Sequence, residues 1–132
     1  MIYLLDTNII SYIIKGNMSI KSSLVKLITN GNEVHIPAVA YYEAKRGLLA
    51  TGATAKLERF MHFVNRQGIV NTTITTYDTA AQIYSDLSKA GKLIEDADIF
   101  IGATALEHNA VLITNNEQHL SHIKNLQIEV WH

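Results

Sequence analysis

Short runs of apolar and β-branched residues alternate along this chain with stretches whose apolar residues recur at helical spacing. The runs that predict strands are Ile2–Leu5, Val34–Ile36, Ile69–Ile74, Ala110–Ile113 and Gln127–Trp131. The stretches that predict helices are Ile9–Ile14, Ile20–Ile28, Ala38–Leu49, Leu57–Val64, Tyr77–Ala90 and Ala97–Glu107, with a short helical turn between Asn116 and Ile123. Strands that alternate with helices are typical of a parallel sheet with helices on both faces. The sequence therefore predicts an α/β fold.

Length and composition limit the class of protein further. The 132 residues fit one domain over positions 1–132, large enough to bury a core without a covalent staple. The absence of cysteine excludes a disulfide framework, a thiolate zinc site and a cysteine nucleophile. No apolar run approaches the roughly 20 residues of a membrane-spanning helix, and Met1–Asp6 lacks the basic segment of a secretory signal. We therefore expect a soluble, cytoplasmic protein.

The charges are balanced in total but unevenly distributed. The 11 Lys and Arg residues oppose 12 Asp and Glu residues, a net charge of −1 that argues against a strong DNA binder. Basic residues dominate from Lys45 to Arg66, whereas acidic residues dominate from Asp78 to Glu107. This distribution allows a basic surface beside an acidic pocket.

Acidic and amide side chains follow the predicted strands at their carboxyl ends. Asp6 comes directly after the first strand, Glu43 lies one turn into the helix after the second, and Asn116 follows the fourth. Asp98 lies in the first turn of the helix that begins near Ala97, with Asp96 two residues before it. Because sites in parallel sheets form beyond the carboxyl ends of strands, we expect these side chains to share one pocket if the first strand is central.

Two interpretations of these residues stay open. Asp and Asn are common helix caps, acids are favoured in first turns, and Glu43 can be a solvated helix residue. However, Asp6 follows four apolar residues and Asp98 precedes three, so both carboxylates are expected to be half-buried, where charges need partners. A divalent cation would neutralise such a cluster, and oxygen ligands favour Mg²⁺ or Mn²⁺ over zinc. Water activated by such an ion can attack a phosphodiester.

The six histidines are scattered without the spacing of metal ligands, and we expect them on helix or strand surfaces. Among them, His119 lies in the loop near the predicted pocket.

Four segments match, in order and at family-like spacing, the motifs of a known family. They are Leu4–Asn8, the E-x-x-x-G pattern Glu43–Gly47, the stretch Gly91–Ala105, which is similar to G-x-x-I-x-x-x-D-x-x-I-A-A, and Leu112–Asn116. With these segments the chain resembles a PIN-domain ribonuclease, specifically the VapC-type toxin of a type II toxin–antitoxin system. It departs from the family pattern at Leu120, where the family has an aromatic residue, and at Gly102, where it has alanine.

The resemblance implies a PIN-like three-layer α/β/α fold with a central parallel sheet of four to five strands. It implies that Asp6, Glu43 and Asp98 are catalytic acids that bind Mg²⁺ or Mn²⁺. Asn116 stands where many members carry a fourth acid, and the resemblance makes it the fourth catalytic residue and a candidate metal ligand. Asp96 is an additional candidate ligand. The resemblance further implies endoribonuclease activity on RNA, for example a tRNA, by a metal-activated water. It also implies a homodimer and inhibition by a cognate VapB-like antitoxin.

The basic stretch provides candidates for contacts with RNA phosphates. Lys45 and Arg46 adjoin Glu43, and Lys56 and Arg59 follow on the next predicted helix. An ordinary solvated helix surface is the alternative for all four.

Three other functions fit the sequence less well. A phosphotransferase of the haloacid-dehalogenase kind needs a second Asp where Asn8 stands. A receiver domain needs a phosphoacceptor Asp at the end of the third strand, and Asn71–Thr76 contains none. A catalytically inactive PIN-like RNA-binding module predicts loss of the acids, of which three are present.

Overall fold

The computed structural model describes residues 1–132 and contains five strands and seven helices. The strands are β1 (Ile2–Leu5), β2 (Glu33–Pro37), β3 (Ile69–Val70), β4 (Val111–Thr114) and β5 (Gln127–Val130). The helices are α1 (Thr7–Ile14), α2 (Met18–Thr29), α3 (Ala38–Ala50), α4 (Thr54–Gln67), α5 (Ile74–Lys89), α6 (Asp96–Glu107) and α7 (Glu117–Leu120). None of these helices combines the length and the apolar character needed to cross a membrane.

The five strands form one parallel sheet in the order β3-β2-β1-β4-β5. The first strand therefore lies at the centre of the sheet. Strands β2 and β3 lie on one side of it and β4 and β5 on the other, which creates a topological switch point at the carboxyl end of β1. Leu4 pairs with His35 on one side and with Leu112 on the other. The fold is the predicted three-layer α/β/α arrangement, and the predicted sheet is confirmed.

The core explains why β1 and β4 are apolar runs rather than alternating patterns. Leu4, Leu5, Leu112 and Ile113 are fully buried because helices cover both faces of the sheet at its centre. The edge strand β5 instead alternates between exposed and half-buried residues. Burial is thus deepest beside the carboxyl ends of β1 and β4, where the candidate site lies.

The predicted third strand is wrong beyond Val70. The strand ends there, and α5 begins at Ile74 instead of near Tyr77. Thr73 caps this helix: its hydroxyl accepts from the Thr76 amide, while its own amide donates to the Thr76 hydroxyl. Both hydroxyls also donate to the Glu107 carboxylate at the end of α6. The threonines that favour a strand by their branching therefore serve here as a helix cap.

Helix α6 is buried around most of its surface, as its sequence predicts. Gly102 is one of its buried residues, and a β-carbon there would lie 2.7 Å from Cδ1 of Ile123. The departure from the family's alanine at this position therefore fits the close packing of Ile123 against α6.

Candidate active site

Asp6 lies at the carboxyl end of the central strand and is 4% exposed. Its carboxylate accepts hydrogen bonds from the Thr7 amide (2.7 Å) and from the Thr114 hydroxyl (2.6 Å). The residue is therefore the N-cap of α1 and also presents its carboxylate to the pocket described below. Burial raises the pKa of Asp6, the two hydrogen bonds oppose that rise, and the charge of Glu43 adds to it.

Glu43 reaches the same pocket from α3, which follows β2. Its Oε1 accepts a hydrogen bond of 2.6 Å from the Thr7 hydroxyl, so the two residues after β1 and β2 are joined directly. Its Oε2 lies 3.8 Å from a guanidinium nitrogen of Arg46, one turn further along α3. Glu43 is therefore held in place on the side of α1 and is not a free surface carboxylate.

Asp98 enters the pocket from the first turn of α6. Its pKa is raised to about 6, first by burial and then by the charges of Asp6, Glu43 and Glu95, while His119 opposes the rise. The carboxylates are thus close enough to repel one another. Such mutual repulsion between carboxylates is typical of sites that bind a cation or transfer a proton.

Asn116 contributes an amide instead of a fourth carboxylate. Its Nδ2 lies 3.5 Å from Oδ2 of Asp98 and 3.2 Å from Nδ1 of His119. Its backbone amide donates to the Thr114 hydroxyl (2.9 Å), which in turn donates to Asp6. Although Asn116 precedes α7, its side chain makes no capping hydrogen bond, so its side chain is directed to the pocket and not to the helix.

These side chains line one cleft of about 230 Å³ that has no hydrophobic lining residue. Its walls are Asp6, Thr7, Asn8, Glu43, Glu95, Asp98, Asn116 and His119. The structure therefore brings together the four residues predicted as catalytic. Asp96 is exposed and does not line the cleft, whereas Glu95 and His119 do.

The donor chemistry of the cleft fits a hard divalent cation. No group of three or more His, Asp or Glu side chains is arranged to hold an ion by itself. Mg²⁺, however, is usually bound through one or two carboxylates and keeps several waters, so it does not need such a group. The buried Asp6 and the raised pKa of Asp98 indicate uncompensated negative charge at the point where such an ion would sit.

The four predicted RNA-contact residues do not line a single groove. Lys45 donates to the Tyr41 hydroxyl at 2.9 Å and lies over the Tyr41 ring, and Arg46 lies over the Tyr42 ring beside Glu43. Lys56 lines a groove next to the acidic cleft. Arg59 lines a different groove, between α2 and α4.

Comparisons with known proteins agree with this fold. The model of the PIN domain matches residues 3–126. The chain is 26% identical over 132 residues to Ribonuclease VapC2 of Rickettsia felis, covering 99% of this chain and 98% of that protein. It is 28% identical over 134 residues to Ribonuclease VapC1 of Haemophilus influenzae, with the same coverage.

Solved structures of VapBC complexes contain chains with the same fold. The VapBC2 structure from Rickettsia felis, bound to a DNA fragment from its promoter, superposes with a TM-score of 0.90 at 26% identity over the full length of both chains. The VapBC-1 structure from nontypeable Haemophilus influenzae has a TM-score of 0.86 at 28% identity, covering 99% of this chain and 98% of that one.

Proposed function

This chain belongs to the PIN domain family, and from that premise we propose that it is a Mg²⁺- or Mn²⁺-dependent endoribonuclease, the toxin of a VapBC-like toxin–antitoxin pair. Its similarity to proteins named Ribonuclease VapC, over nearly the whole of both chains, supports the ribonuclease assignment. Its structural similarity to VapBC complexes supports the pairing with a VapB-like antitoxin.

The observation that carries the proposal is the meeting of Asp6, Glu43 and Asp98 in one polar cleft at the switch point of the sheet. In this proposal one or two of the three carboxylates bind the ion directly and the remainder bind it through its waters, while Asn116 contributes a neutral oxygen or a bridging water. The bound cation would supply an activated water and offset the charge that develops on the phosphate.

The surrounding residues hold the acids in position. Thr114 fixes Asp6 from β4, and Thr7 fixes Glu43 from α1. Such hydrogen bonds between a ligand and its support orient metal-binding carboxylates, and their loss typically costs 10–100-fold in affinity or activity. The acids of the cleft are thus supported by hydroxyl groups from two distant parts of the chain.

The substrate, the cellular location and the oligomeric state are proposed from the same similarity to VapC proteins. The substrate is RNA, for example a tRNA, and the site of action is the cytoplasm. The chain acts as one domain over residues 1–132, as a homodimer.

A groove between α2 and α4 suits the antitoxin. Phe63 and the 61% exposed Val25 line it together with Lys21, Arg59 and Arg66. An amphipathic acidic segment would match that combination of apolar and basic side chains.

The proposed function is tested by incubating the purified chain with total cellular RNA, with and without Mg²⁺, and by sequencing the new RNA ends. Metal-dependent ends that disappear in Asp98→Asn would support it. The exposed Asp96→Asn on the same helical turn is the matched control and should cleave as the wild type does. RNA binding without cleavage at any Mg²⁺ or Mn²⁺ concentration would instead favour the inactive RNA-binding module.

A further inference from the structure

Asn8 lines the acidic cleft and is joined by hydrogen bonds to two residues that do not line it. Its Nδ2 donates to Oδ1 of Asn115 (3.3 Å), and Nδ2 of Asn115 donates to the Tyr12 hydroxyl (2.9 Å). Asn8 and Tyr12 stand four residues apart on one face of α1, whereas Asn115 belongs to the loop after β4. These two hydrogen bonds, called the amide network below, connect a wall of the cleft to a tyrosine outside it.

The direction of the amide network determines which end of the Asn8 side chain is available to the cleft. A side-chain amide donates through its nitrogen and accepts through its oxygen. The contact of 2.9 Å between Asn115 and Tyr12 has the usual length of an N–H···O hydrogen bond and exceeds that of most O–H···O bonds, so Asn115 donates and Tyr12 accepts. The oxygen of Asn115 then engages the nitrogen of Asn8. Oδ1 of Asn8 is therefore the end that remains for the cleft.

This orientation of Asn8 suits a cleft that contains a cation. Three other residues of the cleft are the carboxylates Asp6, Glu43 and Asp98. Beside these acids alone, the partial positive charge of the amide nitrogen would be the favoured end, because an amide oxygen is repelled by negative charge. A hard divalent cation and its waters instead prefer an oxygen. The amide network therefore holds Asn8 in advance in the orientation that an ion needs, and such preorganisation lowers the cost of binding.

We propose that Tyr12 is a positioning residue of the acidic cleft, which acts through Asn115 to keep Oδ1 of Asn8 available to a divalent cation or its waters. This inference rests on the proposed metal-dependent function. In Tyr12→Phe the ring stays in place but Asn115 loses its acceptor, so the Asn115 amide is free to turn its nitrogen towards Asn8. Two nitrogen donors would then face each other, and Asn8 would turn its own nitrogen to the acids.

Calorimetric titration with Mn²⁺, in the absence of RNA, measures the effect on ion binding alone. Tyr12→Phe should weaken Mn²⁺ binding by about 2–10-fold, which corresponds to one net hydrogen bond. Tyr3→Phe removes the hydroxyl of another half-buried tyrosine that does not line the cleft, and as the matched control it should bind Mn²⁺ as the wild type does. Asn115→Leu removes both hydrogen bonds and should weaken binding at least as much as Tyr12→Phe. Combining the two substitutions should weaken it no further than Asn115→Leu alone.

A second background distinguishes positioning from general support of the fold. Asn8→Asp places oxygen at both ends of the side chain, so its orientation no longer matters. In that background, Tyr12→Phe should change Mn²⁺ binding by less than about twofold, whereas a packing role of Tyr12 would weaken binding equally in both backgrounds. Asn115→Asp keeps an oxygen for Asn8 and can accept from the Tyr12 hydroxyl, so this conservative variant should titrate as the wild type does.

Two further measurements do not depend on calorimetry. In nuclear magnetic resonance spectra of the metal-free protein, the side-chain NH₂ signals of Asn8 and Asn115 should shift in Tyr12→Phe but not in Tyr3→Phe. In RNA cleavage, Tyr12→Phe should raise the Mn²⁺ concentration for half-maximal rate by the same factor as the weakening of Mn²⁺ binding. The rate at saturating Mn²⁺ should stay close to that of the wild type, which loss of folded protein would lower.

The outcomes separate this inference from the proposed function. If Tyr12→Phe titrates as the wild type does, or weakens Mn²⁺ binding equally in the Asn8→Asp background, the positioning role is wrong, and cleavage of RNA by the wild type still supports the proposed function. If the titrations agree with the positioning role but the wild type cleaves no RNA, the proposed function fails and this inference stands. If the wild type binds neither Mn²⁺ nor Mg²⁺, both proposals fail.

Discussion

The Thr114 hydroxyl lies 2.6 Å from Oδ2 of Asp6, in a buried hydrogen bond that joins residues 108 positions apart. The two residues end neighbouring parallel strands, so the hydrogen bond closes the carboxyl ends of β1 and β4 at the floor of the acidic cleft. The same hydroxyl accepts a hydrogen bond from the backbone amide of Asn116 and thereby links Asp6 to the loop that contains Asn116. Thr114 is therefore the residue on which the geometry of both Asp6 and Asn116 depends.

The first prediction concerns this hydrogen bond. Thr114→Val keeps the shape of the side chain but leaves the buried Asp6 carboxylate without its hydroxyl donor, so the free energy of unfolding should fall by about 1–3 kcal/mol at neutral pH. Urea denaturation measures this change. Thr104→Val is the matched control, because that buried hydroxyl donates only to the Phe100 carbonyl in its own helix. An equal fall in the free energy of unfolding in Thr114→Val and Thr104→Val would contradict the role of the Thr114 hydroxyl as the support of Asp6.

The second prediction follows from the Asp98 pKa of about 6. An acid whose pKa is higher in the folded chain than in the unfolded chain holds more protons when folded, so its contribution to stability is lost as the pH rises from about 4 through 6. In the presence of EDTA, Asp98→Asn should therefore be more thermally stable than the wild type at pH 8 and nearly equal to it at pH 4. Asp96→Asn, whose side chain is exposed, should follow the wild type at both values. Thermal melts of the three proteins from pH 4 to pH 8 measure this difference. If the thermal midpoints of Asp98→Asn and the wild type change in parallel with pH, the prediction is wrong.

Much of this arrangement could be predicted from sequence, and the reasons are local. Leu4 and Leu112 lie in short apolar runs that only a doubly covered strand explains, and Asp6 follows such a run directly. The polar loop after Val70 could not be predicted, because threonine branching favours a strand whereas the Thr73 hydroxyl stabilises a helix start. That choice depends on Glu107, which lies more than 30 residues away.

The acidic cleft shows a second kind of limit. Sequence position alone made Asp96 a candidate ligand, but on a helix the residue that shares a face with Asp98 is the one three positions earlier. That residue is Glu95, which lines the cleft while Asp96 faces solvent. The three-residue spacing between Glu95 and Asp98 could therefore have predicted that Glu95 lines the cleft. The approach of His119 depends on the path of the loop after β4, which no local pattern encodes.

The third prediction tests the support of Glu43. Thr7→Val removes the 2.6 Å hydrogen bond to Oε1 of Glu43 and should lower the rate of metal-dependent RNA cleavage by about 10–100-fold. The thermal midpoint should change little, because Thr7 is only half-buried. Thr7→Ser restores the hydroxyl and should recover most of the rate. Failure of serine to recover activity would show that the methyl group of Thr7, and not its hydroxyl, is what the site needs.

The fourth prediction concerns Asn116, the amide at the position where the resemblance to VapC-type ribonucleases leads one to expect an acid. Asn116→Asp adds a carboxylate beside Asp98, whose Oδ2 lies 3.5 Å from the present amide nitrogen. Without metal, the added repulsion should raise the pKa of Asp98 further and lower the thermal midpoint at pH 8. With Mn²⁺, the added charged oxygen ligand should tighten binding, and calorimetric titration should show the larger gain for Mn²⁺ than for Mg²⁺, because Mn²⁺ loses its waters more readily. Asn115→Asp, at the neighbouring amide that pairs with Tyr12 and Asn8 and does not line the cleft, is the matched control and should leave the titration unchanged. If Asn116→Asp also leaves the titration unchanged, Asn116 acts only as a hydrogen-bond partner of Asp98 and His119, and the acids bind the ion without it.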